Sequence, residues 1–264
     1  MANVPYRGSL PEAKVPIAMT SAFDFTGKVV LITGGTRGLG RAMAQGFAQA
    51  GADVIVSSRK PEACDAVAAE LRALGGRAAG IACHVGEWEQ VNALAEQAWD
   101  TFGRIDVLIN NAGMSPGAPS SVETSEALFD KIIGVNLKGA FRLTALIGSR
   151  MAAGDGGAII QISSTGALRP QPAYAPYAAA KAALNTVSLA FAREFAPKVR
   201  VNVISPGSFE TDISAGWQDR ETMKARISLK RFGEPHEIVA TALYLADDAS
   251  SYTTGANIVV DGGA

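Results

Sequence analysis

A chain of 264 residues, 48% of them hydrophobic, is long enough for one large α/β core and too short for more than two small ones. A net charge of −1 without a basic run gives no electrostatic footprint for nucleic acid, and the apolar runs are strand-sized, far below a membrane span. Two cysteines (Cys64, Cys83) and two histidines (His84, His236) make neither a disulfide framework nor a metal-ligand spacing, so no metal is expected and the chain reads as a reduced, cytoplasmic protein.

Residues 1–22 differ from the rest. Pro5, Pro11 and Pro16 break any helix, there is no apolar segment of secretory type, and Arg7 and Lys14 are too few for a transit peptide. The segment reads as an arm, either disordered or lying on a neighbouring subunit. From residue 23 to 264 the pattern is that of one domain. Short apolar runs, Val29–Ile32, Val54–Val56, Ala78–Cys83, Ile105–Ile109, Ala158–Ile162, Val199–Ile204 and Asn257–Val260, alternate with helical stretches. Most runs are continuous Val, Ile and Leu, as in strands buried on both faces. In Leu39–Ala50, Leu39, Met43, Phe47 and Ala50 fall on one side of a helix. The expected fold is a single doubly wound, Rossmann-like α/β domain: a seven-stranded parallel sheet with helices on both faces. Such sheets bind ligands beyond the carboxyl ends of their strands.

After the first strand comes Thr33–Gly40, containing Gly34, Thr36, Arg37, Gly38, Leu39 and Gly40. Glycines between a strand and a helix let the backbone approach a pyrophosphate, which the helix N-terminus then binds. The spacing is G-x-x-x-G-x-G rather than G-x-G-x-x-G, so the mechanism carries over and the regular expression does not. After the second strand come Ser58, Arg59 and Lys60. An acidic residue there would hydrogen-bond the ribose 2′-OH of NAD; its absence, with Arg59 present and Arg37 nearby, favours the 2′-phosphate of NADP(H) over NAD(H). After the third stand His84 and Val85, where an adenine contact and a plain strand end are equally open. Asn110, Asn111, Ala112 and Gly113 follow the fourth; they suit close approach of a flat ring, or bonds to neighbouring backbone.

Tyr177 and Lys181 are four residues apart, which on a helix places them on one face about 5–6 Å apart at Cβ. A cation beside a phenol favours the phenolate and lowers the Tyr pKa from its reference of about 10. Tyr174 has Ala178, not a lysine, four residues on, so packing or pocket lining is expected of it. Ser163 and Ser164 at a strand end point to opposite faces. The segment from Pro206 and Gly207 to Phe209 and Thr211 follows the sixth strand.

Together these motifs resemble the short-chain dehydrogenase/reductase family of the compact kind, from about Phe23 to Ala264. The likeness rests on Thr33–Gly40, Asn110–Gly113, Asn136 within Val135–Gly139, Ser164, Tyr177-x-x-x-Lys181, Pro206–Gly207, Thr254–Gly255 and Asp261–Gly263. The resemblance implies an oxidoreductase moving hydride between NADP(H) and a small-molecule ketone or secondary alcohol, a 3-oxoacyl thioester among them. It implies Tyr177 as general acid/base, Ser164 as hydrogen-bond donor to the substrate oxygen, and Lys181 as the group that lowers the Tyr177 pKa and holds the nicotinamide ribose. It implies Asn136 as anchor of a water linking Lys181 to solvent. Family spacing selects Ser164 over Ser163, and places the Phe209 backbone and the Thr211 hydroxyl at the carboxamide. Residues 208–231 would be the variable substrate lid, with Phe209, Trp217, Arg220, Met223 and Arg226. His84 stands where relatives often carry Asp. Family members commonly assemble as homotetramers or homodimers. Two other readings remain: a nucleotide-sensing binding protein with little turnover, and an isomerase or lyase of a longer related subgroup, whose extra C-terminal length is lacking here.

Overall fold

The computed structural model describes residues 23–264 except 213, 215 and 216. The arm expected at residues 1–22 lies outside the described residues.

Seven strands form one parallel sheet in the order β3-β2-β1-β4-β5-β6-β7. They are β1 (Val29–Thr33), β2 (Asp53–Ser58), β3 (Ala78–Ala82), β4 (Val107–Asn110), β5 (Gly157–Ile162), β6 (Val199–Pro206) and β7 (Asn257–Val260). The helices are α1 (Gly38–Gln49), α2 (Pro61–Arg72), α3 (Trp88–Phe102), α4 (Glu126–Ile133), α5 (Gly139–Ala153), α6 (Ala175–Glu194), α7 (Arg220–Arg226) and α8 (Val239–Ala246).

Successive strand residues point to opposite faces, and both faces are covered, which is why the central strands read as unbroken apolar runs. Val30, Ile32, Val54, Val56 and Ile109 pack against Met43 and Phe47 of α1, Val67 and Leu71 of α2, and α8. Val29, Leu31, Ile55, Leu108 and Ile159 pack against α3, α5 and α6 through Leu94, Leu143, Ile147 and Phe191. In α1, Met43 and Phe47 are fully buried as the periodicity predicts, while Leu39 is only partly buried against the same core.

Most strands begin or end one or more residues from the expected runs, and at β4 and β6 the reason is identifiable. Ile105 is buried but outside β4, because the Asp106 carboxylate accepts the Val29 N–H at 2.8 Å and does the work of a ladder partner. Arg104 holds that carboxylate through both guanidinium arms. At the other end of the sheet β6 extends to Pro206, which pairs with Val260 as the last residue of the strand.

Strand order reverses between β1 and β4, and the register sets Thr33 beside Asn110. The segments leaving these two strands therefore diverge, opening a crevice at the carboxyl edge of the sheet. β5 and β6 end on the same edge and bring Ser163, Ser164 and Pro206 to it.

Phe47 is fully buried, with the Phe25 ring edge-on at 4.9 Å. Phe47→Ala is expected to lower unfolding free energy by about 3–5 kcal/mol, read as a reduced urea midpoint at unchanged slope; a loss below about 1 kcal/mol would contradict this packing.

Candidate active site

Ser164 follows β5 and caps the short 3-10 turn Thr165–Ala167, its hydroxyl oxygen accepting the Gly166 N–H at 3.0 Å. That bond fixes the oxygen and leaves the hydroxyl hydrogen to donate elsewhere. Helix α6 starts two turns later, with Pro176 in its first turn, and carries Tyr177 and Lys181 on one side. Ser163 points the other way, buried, its hydroxyl donating to the Lys181 carbonyl at 3.4 Å.

Ser164 and Tyr177 lie close together: a Cβ on Gly166 would stand 3.3 Å from Ser164 Oγ and 3.6 Å from Tyr177 Cε1. Burial pushes the Tyr177 phenol up from its ordinary pKa, and the nearby Ser164 hydroxyl draws it partly back. Lys181 does not figure among the causes of that shift: its ammonium is buried and donates to the Ile162 carbonyl at 2.8 Å. Desolvation lowers Lys181 itself to about 8.

Asn136 sits in a π-helical turn, Gly134–Lys138, joining α4 to α5. Its Nδ2 donates to the carbonyls of Ile132 and Met114, each at 2.9 Å, and its Oδ1 accepts the Met114 N–H at 3.1 Å. Asn136 thus clamps the segment after β4 as well as standing near Lys181. Gly113 separates the two: a Cβ there would lie 3.0 Å from Asn136 Oδ1 and 3.6 Å from Lys181 Nζ. No sequence signal pointed to Met114, because it contributes only backbone groups.

Gly34–Gly40 and Asn111–Gly113 leave β1 and β4 on either side of the reversal. Gly34 and Gly38 have φ of +64° and +52°. A methyl on Gly34 would lie 2.8 Å from Asn111 Nδ2, and one on Gly40 would collide with the Gly34 carbonyl and the same amide. Asn111 explains this crowding. Its Nδ2 donates to the carbonyls of Thr33 and Gly34, at 2.9 and 3.1 Å. The Thr33 hydroxyl in turn accepts the N–H groups of Asn111 and Ala112 at 3.1 Å each. Of the two roles open for Asn111, its amide performs the backbone one; Thr33 is a structural partner that the motif alone did not single out.

Helix α1 begins at Gly38 after an extended Arg37, with no side-chain cap and no acidic residue in its first turn. Its first N–H groups thus have no side-chain acceptor, and together with the positive end of the helix dipole they suit a phosphate. Thr36 is half-buried beside them. Arg37 and Arg59 are exposed, and neither guanidinium pairs with a carboxylate among the described residues. Ser58 closes β2, its carbonyl accepting the Cys83 N–H at 2.8 Å. This set fits a dinucleotide carrying an extra phosphate.

His84 accepts the Gly86 N–H on Nδ1 at 3.2 Å, so its ring is oriented by its own turn. Val85 packs against the second core, its carbonyl so close to Gly139 that a side chain there would collide. Gly207 lies flush against Asp261, with room for no Cβ. The Phe209 ring is buried against Gly233, with which its backbone also forms a bridge, and the Thr211 methyl lies 3.4 Å from where a Gly38 Cβ would be. The glycine loop and the segment after β6 therefore face each other.

In the segment expected to be a lid, Arg220 donates to both Glu210 oxygens at 2.8 and 2.6 Å and lies 5.0 Å over the Phe232 ring. Trp217 meets the same ring edge-on at 5.7 Å. Met223 is half-buried and Arg226 exposed. Tyr174 packs on Gly117 and is otherwise exposed. Among the described residues no group of three or more His, Cys, Asp or Glu could hold a metal, and no helix is long and apolar enough to cross a membrane.

A family profile described as enoyl-(acyl carrier protein) reductase matches residues 34–264. Human "Dehydrogenase/reductase SDR family member 4" is 36% identical over 93% of this chain and 90% of its own length. The 3-oxoacyl-(acyl-carrier-protein) reductase of Thermotoga maritima is 38% identical over 90% and 97%. Among solved structures, a 3-oxoacyl (acyl-carrier-protein) reductase from Agrobacterium tumefaciens C58 with NADP bound superposes with a TM-score of 0.87 at 32% identity, covering 96% of this chain and 100% of that one. A short-chain type dehydrogenase/reductase from Mycobacterium marinum gives the same TM-score at 35% identity, over 91% and 96%. The fold, the crevice and these matches agree: the chain belongs to the short-chain dehydrogenase/reductase family of oxidoreductases.

Proposed function

We propose that the protein, as one catalytic domain over residues 23–264, is an NADP(H)-dependent oxidoreductase that interconverts a ketone and a secondary alcohol. The observation that carries this reading is the closeness of Ser164 and Tyr177, both packed on Gly166, with Lys181 and Asn136 buried nearby. Gly34, Gly38 and the N-terminus of α1 would hold the pyrophosphate, and Arg37 and Arg59 the 2′-phosphate; Ala112, Gly113, Gly207 and Thr211 would flank the nicotinamide half. Once bound, the cofactor supplies the hydride.

The chain's own residues handle the oxygen and the proton. Ser164 Oγ, its lone pair held by Gly166, donates its hydrogen to the substrate oxygen and stabilises the charge that develops there. Tyr177 Oη gives its proton to that oxygen in reduction and takes it back in oxidation. A phenol whose pKa is raised by burial is fully protonated at neutral pH, so the resting site is set for reduction. Lys181, with a pKa near 8, exchanges protons within reach of neutral pH and would hold the ribose hydroxyls and resupply Tyr177, through a water that Asn136 orders.

The named relatives include 3-oxoacyl-(acyl-carrier-protein) reductases, which supports a 3-oxoacyl thioester as one substrate class. A sensor with little turnover would need the phosphate contacts but not the Ser164–Tyr177 pair. We further propose a cytoplasmic homotetramer or homodimer, consistent with the exposed Phe141 on α5 and Leu189 on α6.

Three measurements test this. Tyr177→Phe should leave NADPH binding, followed by fluorescence, within about threefold while lowering kcat for ketone reduction by about 10²–10⁴-fold; a rate close to wild type removes the proton role from Tyr177. For alcohol oxidation the base must be phenolate, so a raised Tyr177 pKa predicts that kcat/KM for oxidation climbs with pH above neutrality while that for reduction stays flat between about pH 6 and 8. An oxidation rate already level at neutral pH would contradict it. Arg59→Ala should weaken NADPH by about tenfold or more and NADH little; equal losses would undo the NADP assignment.

A further inference from the structure

We infer that Arg169 is a positioning residue that ties the loop carrying Ser164 and Tyr177 to the C-terminal tail and, through that tail, to the end of the substrate lid. The inference rests on the carbonyl-reduction reading above and adds a residue outside its machinery.

Arg169 lies between Ser164 and Tyr177 in the chain. Its backbone N–H donates to the Thr165 carbonyl at 2.9 Å, so its position is coupled to the turn that Ser164 caps. Its guanidinium reaches out of that loop to the tail, donating to the Asp261 carboxylate and to the Ala264 carbonyl. The tail in turn lies against the lid. Leu229 N–H donates to the Gly262 carbonyl at 3.1 Å, and the Ser228 N–H and hydroxyl both donate to the Gly263 carbonyl, at 3.2 and 2.8 Å. Gly262 and Gly263, at φ of +69° and +80°, bring the tail so close that a methyl on Gly262 would lie 2.9 Å from Ile227. Asp261 also touches Gly207, on the turn after β6.

The tail from Asp261 to Ala264 thus touches three segments: the loop after Ser164, the turn after β6 and residues 227–229. Burial pushes the Asp261 carboxyl up, but the Gly263 N–H and the Arg169 guanidinium outweigh it and hold the group below the usual carboxylate range. Asp261 is mostly buried while half of the Arg169 side chain is exposed. A fork of this kind adds orientation to attraction, because both arms must be satisfied at once. Loosening it frees Ser164 and the lid relative to each other; the phosphate end of the crevice is untouched.

The test uses the full chain with Arg169→Gln, Asp261→Asn, the double variant and Arg169→Lys. Hydrogen exchange is followed in residues 164–176 and 220–231, alongside steady-state ketone reduction with NADPH. Each single variant is expected to speed exchange in both segments and to lower kcat/KM for the ketone by about tenfold, with NADPH affinity within about threefold. The double variant should match the worse single rather than multiply the losses, and Arg169→Lys should fall between wild type and Arg169→Gln. Unchanged exchange, multiplied losses in the double variant, or a loss confined to NADPH affinity would overturn the inference. Should the wild-type protein reduce no carbonyl across a broad panel, the functional reading fails, and the exchange data still decide whether Arg169 joins these segments.

Discussion

The site depends on how the chain closes the point where strand order reverses. Parallel strands that part company leave backbone groups without ladder partners, and a buried group left so costs about 1–3 kcal/mol. Here two side chains take up the deficit. The Thr33 hydroxyl accepts two N–H groups from the β4 exit, and the Asn111 amide donates to two carbonyls at the β1 exit. This reciprocal stitch holds the glycine loop at a set distance from Ala112 and Gly113. It also explains Gly40, whose missing side chain makes room for the Asn111 amide. A glycine in a nucleotide-binding pattern can thus be required by the protein's own packing.

The proton-handling end is organised by burial. Lys181 is enclosed at the carboxyl edge of the sheet, and desolvation brings it to about 8. Tyr177 is moved in the opposite sense by the same cause, since the phenol's charged form is the anion. The two pKa values therefore move apart, and in both groups burial favours the uncharged form. The ammonium is the stronger acid of the pair, so a proton passes downhill from Lys181 to a Tyr177 phenolate.

Much of the fold was legible because buried parallel strands leave an unmistakable run of apolar residues, and because glycine, serine, tyrosine and lysine stood at strand ends in chain order. All seven strands and the helix carrying Tyr177 and Lys181 follow from that. Contacts made by backbone were not legible: Met114 offers only an amide and a carbonyl to Asn136, and any residue type could do so. Nor was the direction of the Lys181 ammonium, since a helical spacing of four fixes the face of a side chain and leaves the end of a long, flexible one free to find the Ile162 carbonyl. Nothing in the sequence singled out Arg169, because its partners Asp261 and Ala264 are distant in the chain.

The π-helical turn at Gly134–Lys138 has a consequence for how this chain tolerates change. Such a turn carries one residue more than an α-helix would, and each residue of a helix is worth about 100° of rotation. Excising a single amino acid between α4 and α5 would restore an ordinary helix and swing either Asn136 or the whole apolar stripe of α5 away from its partner. Loops elsewhere can lengthen or shorten; this stretch is counted to the residue, and insertions or deletions in its lineage should skirt it.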